Sequence, residues 1–281
     1  MARRLGEVTQ KSQKQGENAM MLRLAVLSIA AAGAVASVNS ALASEQGARG
    51  ILERYAVDYL SDPNLTAPMI FGVKVGEDFY TVDVAPPEGR SKPRQNVRVG
   101  VPEKPTFYFT IESEAVLERL DRGEIAALTL MGKAFESDYA PMDVEVMDGY
   151  EPAADFGDML LPFIFHFWTR GTPEVIRFSS EATRFVHGTN LGVFYYQPGL
   201  RSAWFEIKPG EHVNENPDSR TNPFPSLIIM VRGEATARID GVDKALREGE
   251  AIFVPPGVSH EFLNDGDAPA FGFLFMFGDG A

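Results

Sequence analysis

From Leu191 to the end, the chain breaks into short segments in which apolar and polar residues alternate, separated by turn residues at nearly even intervals. LGVFYYQP, RSAWFEIKPG, SLIIMVRGE, ATARIDG, EAIFVPPG, HEFLND and AFGFLFMFG follow one another with no helical period between them. A period of two places successive side chains on opposite faces of a strand, so each segment is apolar on one side only. A series of such strands buries those sides by closing on itself, which predicts a barrel or double-sheet jelly roll over residues 191–281.

The first half has a different grammar. ILERYAVDYL carries Ile51, Tyr55, Ala56, Tyr59 and Leu60 at helical spacing and predicts an amphipathic helix. FYTVDVAP, NVRVGVP and PTFYFTIE then alternate as strands of an antiparallel sheet. Ser113 offers an N-cap to EAVLERLDRG, and Gly123 can end that helix in the left-handed region. EIAALTLMGKAFES follows as a short helix or strand. The expectation is an α+β domain over 44–150, an aromatic-rich linker over 151–190, and an all-β domain after it. In the linker, the run from Met159 to Trp168 is too short to span a bilayer and is interrupted by Pro162. It is read as buried between domains, with membrane contact or dimerisation as the sharper alternative. His166, among its phenylalanines, is read as a hydrogen-bonded core residue.

Net charge excludes one class of partner. At −13, with no cluster of Lys and Arg, the chain is not built for nucleic acid. Cysteine is absent, so any metal must be held by His, carboxylate or amide groups. Met21-Leu22-Arg23 precedes the apolar run Leu24–Ala43, which ends in Ala41-Leu42-Ala43, the small-residue pattern of a secretory cleavage site. Residues 1–43 are therefore expected to be a signal peptide, with 1–20 an extension that precedes the true start, and the mature protein is expected to be periplasmic or secreted. Removing them takes away five basic and two acidic groups and leaves a more acidic chain.

One spacing names a family. Gly249, Pro255, Gly257, His260 and Asn264 stand in GEAIFVPPGVSHEFLN at the intervals of the second conserved motif of the cupins, which the chain resembles over about 192–279. The resemblance implies a double-stranded β-helix, a cavity, often a divalent metal (Fe, Mn, Ni or Zn), and a homodimer. The first cupin motif would bring two histidines one residue apart, then a glutamate, then six residues and a glycine. Counting back from Gly233 reaches Ser226, Asn222 and Arg220 at those positions. A second alignment, anchored on Pro209-Gly210, uses His212, Asn214 and Glu215 and treats NPDSRTNPFP as an insertion. The second alignment gives a candidate metal set of His212, Glu215 and His260, with Glu211 as an alternative third ligand; the alternative role for His260 is a hydrogen-bonding group in a metal-free cavity.

Tyr196, Trp204 and Arg232 are the candidate ligand-binding residues of the barrel, the aromatics for an apolar or ring-shaped body and the arginine for a carboxylate. Arg201 and Arg238 offer the same fork, with solvated surface the alternative for all three arginines, and His187, before Gly188, reads as a turn residue or as one reaching the barrel mouth. PTFYFTIESEAVLERLDRGEIAALTLMGKAFESD resembles, more loosely, the sterol carrier protein 2 family. That resemblance implies an α/β sandwich around an apolar tunnel for a lipid or acyl chain. The function expected is an exported protein that holds a small organic molecule in the barrel, with or without a metal, beside a lipid-carrier-like domain. The alternative is a metal-dependent dioxygenase, isomerase or lyase.

Overall fold

A computed structural model describes residues 47–169 and 177–281. The expected signal peptide lies outside the described residues. Helix α1 (47–59) buries Ala48, Leu52, Tyr55, Ala56 and Tyr59, the 3–4 spacing read from its sequence. It packs on a five-stranded sheet made of β1 (Met69–Val75), β2 (Asp78–Ala85), β3 (Arg94–Val99), β4 (Phe107–Ile111) and β5 (Met142–Val146) in the order β3-β2-β1-β4-β5.

The sheet is mixed, which corrects the antiparallel expectation: β1 and β4 are parallel. The cause is the connection between β3 and β4. Gly100 N donates to Phe79 O at one end of the sheet, and Thr106 Oγ1 donates to Ile70 O at the other. The chain thus recrosses the sheet before β4 starts, and alternation reports a strand's faces without its direction. Strands β1 and β5 were not read from the sequence. Helix α2 (Glu114–Asp121) is capped by Ser113, whose side chain accepts from Val116 N, and Gly123 follows it at φ +66°. Helix α3 (Ala127–Leu130) is a single turn whose four residues are all buried.

The segment read as a linker contains helix α4 (Phe156–Trp168). Phe163 and Phe167, one turn apart, stand 5.1 Å from the ring of Phe71 and close on Tyr59 at 5.6 and 5.5 Å. Its aromatic face therefore belongs to the core of the first half, and Trp168 is buried with it. Pro162 sits inside the helix at the cost of one backbone donor. His166 pairs with Asp62 at 3.0 Å. No helix of the described residues is long and apolar enough to cross a membrane.

Two further sheets form the second half. The larger joins β6 (Arg184–Val186), β7 (Thr189–Gln197), β8 (Leu200–Ile207), β10 (Ser226–Arg232), β13 (Ala251–Val254) and β15 (Ala270–Phe277) in the order β13-β10-β15-β8-β7-β6. The smaller joins β9 (His212–Val213), β11 (Glu234–Ile239), β12 (Val242–Arg247) and β14 (His260–Leu263) in the order β12-β11-β14-β9. Phe205, Ile207, Ile228, Met230, Ala237, Leu246, Val254 and Phe262 fill the space between them. From Ala48 onward both halves form one unit. Thr129 on α3 ties them together: its Oγ1 donates to Val193 O at 3.0 Å and accepts from Val193 N at 2.8 Å, where the register of β7 against β8 shifts.

Candidate functional site

The barrel interior is not completely filled. A cavity of about 400 Å³ remains, lined on the larger sheet by Leu191, Val193, Phe205, Ile228 and Leu274, and roofed by Leu128 of α3, by Met131 just after it, and by Leu161 and Ile164 of α4. This volume is within the range of small-molecule sites. Arg184 on β6 helps to seat the roof by donating to the carbonyls of Leu130, Gly132 and Tyr139. Lys133, also on the lining, is ion-paired with Asp143.

His260 begins β14 with its side chain in the cavity, 5% exposed. Its Nδ1 lies 3.1 Å from Val258 O. A carbonyl can only accept, so Nδ1 carries the proton and Nε2 is left as an acceptor. Asn222 Nδ2 stands 3.5 Å from that Nε2 and 3.4 Å from Ser226 Oγ. Burial holds His260 below the ordinary imidazole value, against the upward pull of the Val258 carbonyl. The ring is therefore neutral at pH 7.

His187 faces the same cavity by a different route. It and Gly188 form the two-residue turn between β6 and β7, with φ +56° and +84°, the mirror-image turn that suits a twisted hairpin. A side chain at Gly188 would place its Cβ 2.1 Å from His212 O, so the turn is held tightly against β9. His187 Nδ1 is buried with no partner among the described residues, and burial, with Asp138 raising and His260 lowering, keeps this ring's pKa down too.

The expected metal ligands are not brought together. His212 pairs with Leu263 across the β9–β14 ladder while Val213 pairs with Phe262, so His212 points away from the face that carries His260 and Phe262. Its Nε2 meets Glu261 at 2.7 Å, and Arg220 joins the same carboxylate at 3.2 Å. Glu215 is exposed, and its backbone carbonyl accepts from Arg220 Nη2. Period two, which set the barrel strands, separates these residues.

The alignment anchored on Gly233 fits the geometry instead. Asn222 and Ser226, two of its three replacements, are the residues that gather at His260, while Arg220 turns outward to Glu261. Two imidazoles on the cavity wall (His260 and His187), one amide and one hydroxyl do not make a divalent-metal set, which needs three or more imidazole or carboxylate donors. Among the described residues no group of three His, Cys, Asp or Glu side chains could hold an ion. The donor set here does not fit the metal that the cupin resemblance implies.

The ligand-binding candidates also divide by face. Tyr196 lines the cavity. Trp204 is on the outer face of β8, stacked near Phe271, and Arg232 lies over that same ring at 5.8 Å. The arginine that enters is Arg201, two strands from β10, which the sequence offered beside Arg232 and Arg238. Only the pairing of β8 with both neighbours shows which of its faces is enclosed.

Two curved sheets packed around a roofed cavity define the second half as a double-stranded β-helix barrel. Residues 203–276 match the family model for the cupin domain, and this C-terminal region is a cupin domain. Among solved structures, a cupin 2 conserved barrel domain protein from Salinispora arenicola is 17% identical, with 38% of this chain and 91% of that one covered at a TM-score of 0.34. A double-stranded β-helix protein from Klebsiella pneumoniae is 20% identical over 38% of this chain and 94% of that one, TM-score 0.32. A predicted oxalate decarboxylase from Thermotoga maritima is 15% identical over 32% and 79%, TM-score 0.28. No curated protein matches the chain. The matched family model begins at residue 203, and nothing in the comparisons supports the sterol-carrier resemblance of the first half.

Proposed function

We propose that the protein binds a small organic molecule in the cupin barrel, holding it through its own side chains and without a metal ion. The observation that carries this reading is the roofed cavity of about 400 Å³, apolar along most of its walls, with the neutral His260, Asn222 and His187 among its polar lining. An apolar wall with a few convergent polar groups is what orients a small ligand. The metal-dependent alternative requires a ligand set that the described residues do not assemble.

The first half enters this reading as the roof, since α3 and α4 supply part of the lining. A lipid tunnel inside its own sheet has no support in the packing, where Phe71, Phe107, Phe109, Phe163 and Phe167 are in mutual ring contact. Export and a homodimer remain parts of the proposal. Support for the dimer is the outer face of the larger sheet, where Phe253 and Val231 are about half exposed (53% and 49%).

Native mass spectrometry of the full chain tests the central reading. The wild type is expected to carry an added small-molecule mass that a Leu274→Trp variant, with an indole placed in the cavity, has lost while keeping its circular dichroism. Identical bare masses for both proteins, with no uptake from a mixture of small organic acids and alcohols, would overturn the reading.

A further inference from the structure

One charge on the cavity lining has no counter-charge among the described residues. Arg201 stands in a row that runs across the larger sheet, because Tyr196 and Met276 are its partners on either side and Met276 pairs in turn with Ser226. Cross-strand neighbours share a face, so all four side chains point inward. The guanidinium carbon lies 5.3 Å from the Tyr196 ring and 5.0 Å from the Phe224 ring. Such rings fix the plane of the fork and exclude water from its faces.

What the fork lacks is an acid. Nη2 donates to Gly280 O at 3.3 Å and the guanidinium is hydrogen-bonded with the Tyr196 hydroxyl, a neutral group, while Nε is buried with no partner among the described residues. The ion pairs described in the barrel are His212 and Arg220 with Glu261, Arg238 with Asp243 and Arg247 with Glu234, and Arg201 is in none of them. The other cation on the lining, Lys133, is already neutralised by Asp143. In a chain of net charge −13 carboxylates are abundant, and this arginine is held away from them. A half-buried guanidinium with an unmet N–H costs free energy unless an acceptor completes it.

Resting on the reading above, we propose that the ligand class is a monocarboxylic acid with an apolar body. Its carboxylate is held by Arg201 in the planar, two-bond manner, and its body lies along Val193, Phe205 and Leu274. Asn222, bonded to Ser226 at the end of the same row, stands beyond β15 from Arg201, so the two polar ends are two strand spacings apart, about 10 Å. That span suits a medium-length acid with a second hydrogen-bonding group near His260.

The test uses octanoate and 1-octanol, two probes with the same chain and different heads, titrated calorimetrically into the full-length protein. Octanoate is expected to bind about ten to a hundred times more tightly than octanol, the value of a charge-assisted pair. In Arg201→Met the preference is expected to vanish while octanol still binds, which also shows that the barrel is folded; Arg201→Lys keeps a smaller preference. Equal affinities in the wild type would overturn the carboxylate and leave the cavity reading standing. Failure of both probes to bind would overturn both.

Discussion

Asn222 stands with its amide nitrogen 3.5 Å from Nε2 of His260, across the space where the cupin resemblance led one to expect a metal ion. An amide N–H offered to an imidazole nitrogen requires that nitrogen to be unprotonated, and the Val258 carbonyl on the other side requires Nδ1–H. Nitrogen-15 spectra at pH 7 should therefore show His260 as the neutral Nδ1–H tautomer. In Asn222→Leu, Nε2 loses its donor, and the two tautomers should begin to mix.

Thr129 is expected to govern the roof. Its hydroxyl makes two hydrogen bonds to Val193, and no other side chain on α3 is described as bonding to the barrel. Thr129→Val keeps the shape and removes both bonds. A loss of about 1 to 3 kcal/mol in denaturant unfolding should follow, together with faster ligand dissociation in stopped-flow displacement. An unchanged dissociation rate would separate the roof from the cavity.

Stability should depend on pH through His187 and His260. Both are pushed below the ordinary imidazole value, chiefly by burial, so below about pH 6.5 the unfolded chain takes up protons that the folded chain refuses. Stability is then complete above about pH 6.5 and declines as pH falls toward the folded-state values. Melting temperatures between pH 7.5 and 5 should show this decline, with a shallower slope in His260→Asn.

Of the three residues chosen from sequence as ligand contacts, one faces the cavity. Tyr196→Ala should weaken ligand binding about tenfold or more, since it removes lining and releases the ring beside Arg201. Arg232→Ala should change affinity less than about twofold, because its side chain lies on the outer face over Phe271. Trp204→Ala is expected to lower the melting temperature more than the affinity.

Much of this architecture was legible beforehand. The barrel was, because seven of its strands alternate cleanly and the interval from Gly249 to Asn264 is specific. Strand β12 escaped notice because five of its six residues are exposed, which leaves VDKALR no apolar side to read. Strand β9 has two residues, too few for any period. The site was less visible, since whether β8 turns Arg201 or Trp204 inward depends on how the sheet closes. Asn222 and Ser226 were present in the correct count from Gly233. Taking His212 for a ligand came from seeking an imidazole where the chain has an amide. Helix α4 hid as a linker because Pro162 and a run of aromatics blur its 3.6-residue period.

The central claim is that the polar end of the barrel meets its ligand directly. Equilibrium dialysis of the full chain against Fe(II), Mn(II), Ni(II) and Zn(II), followed by elemental analysis, tests it, with His260→Ala and His212→Ala in parallel. The account predicts less than about one-tenth of an ion per chain for every metal, unchanged by either substitution. One ion per chain in the wild type, lost in His260→Ala, would contradict it.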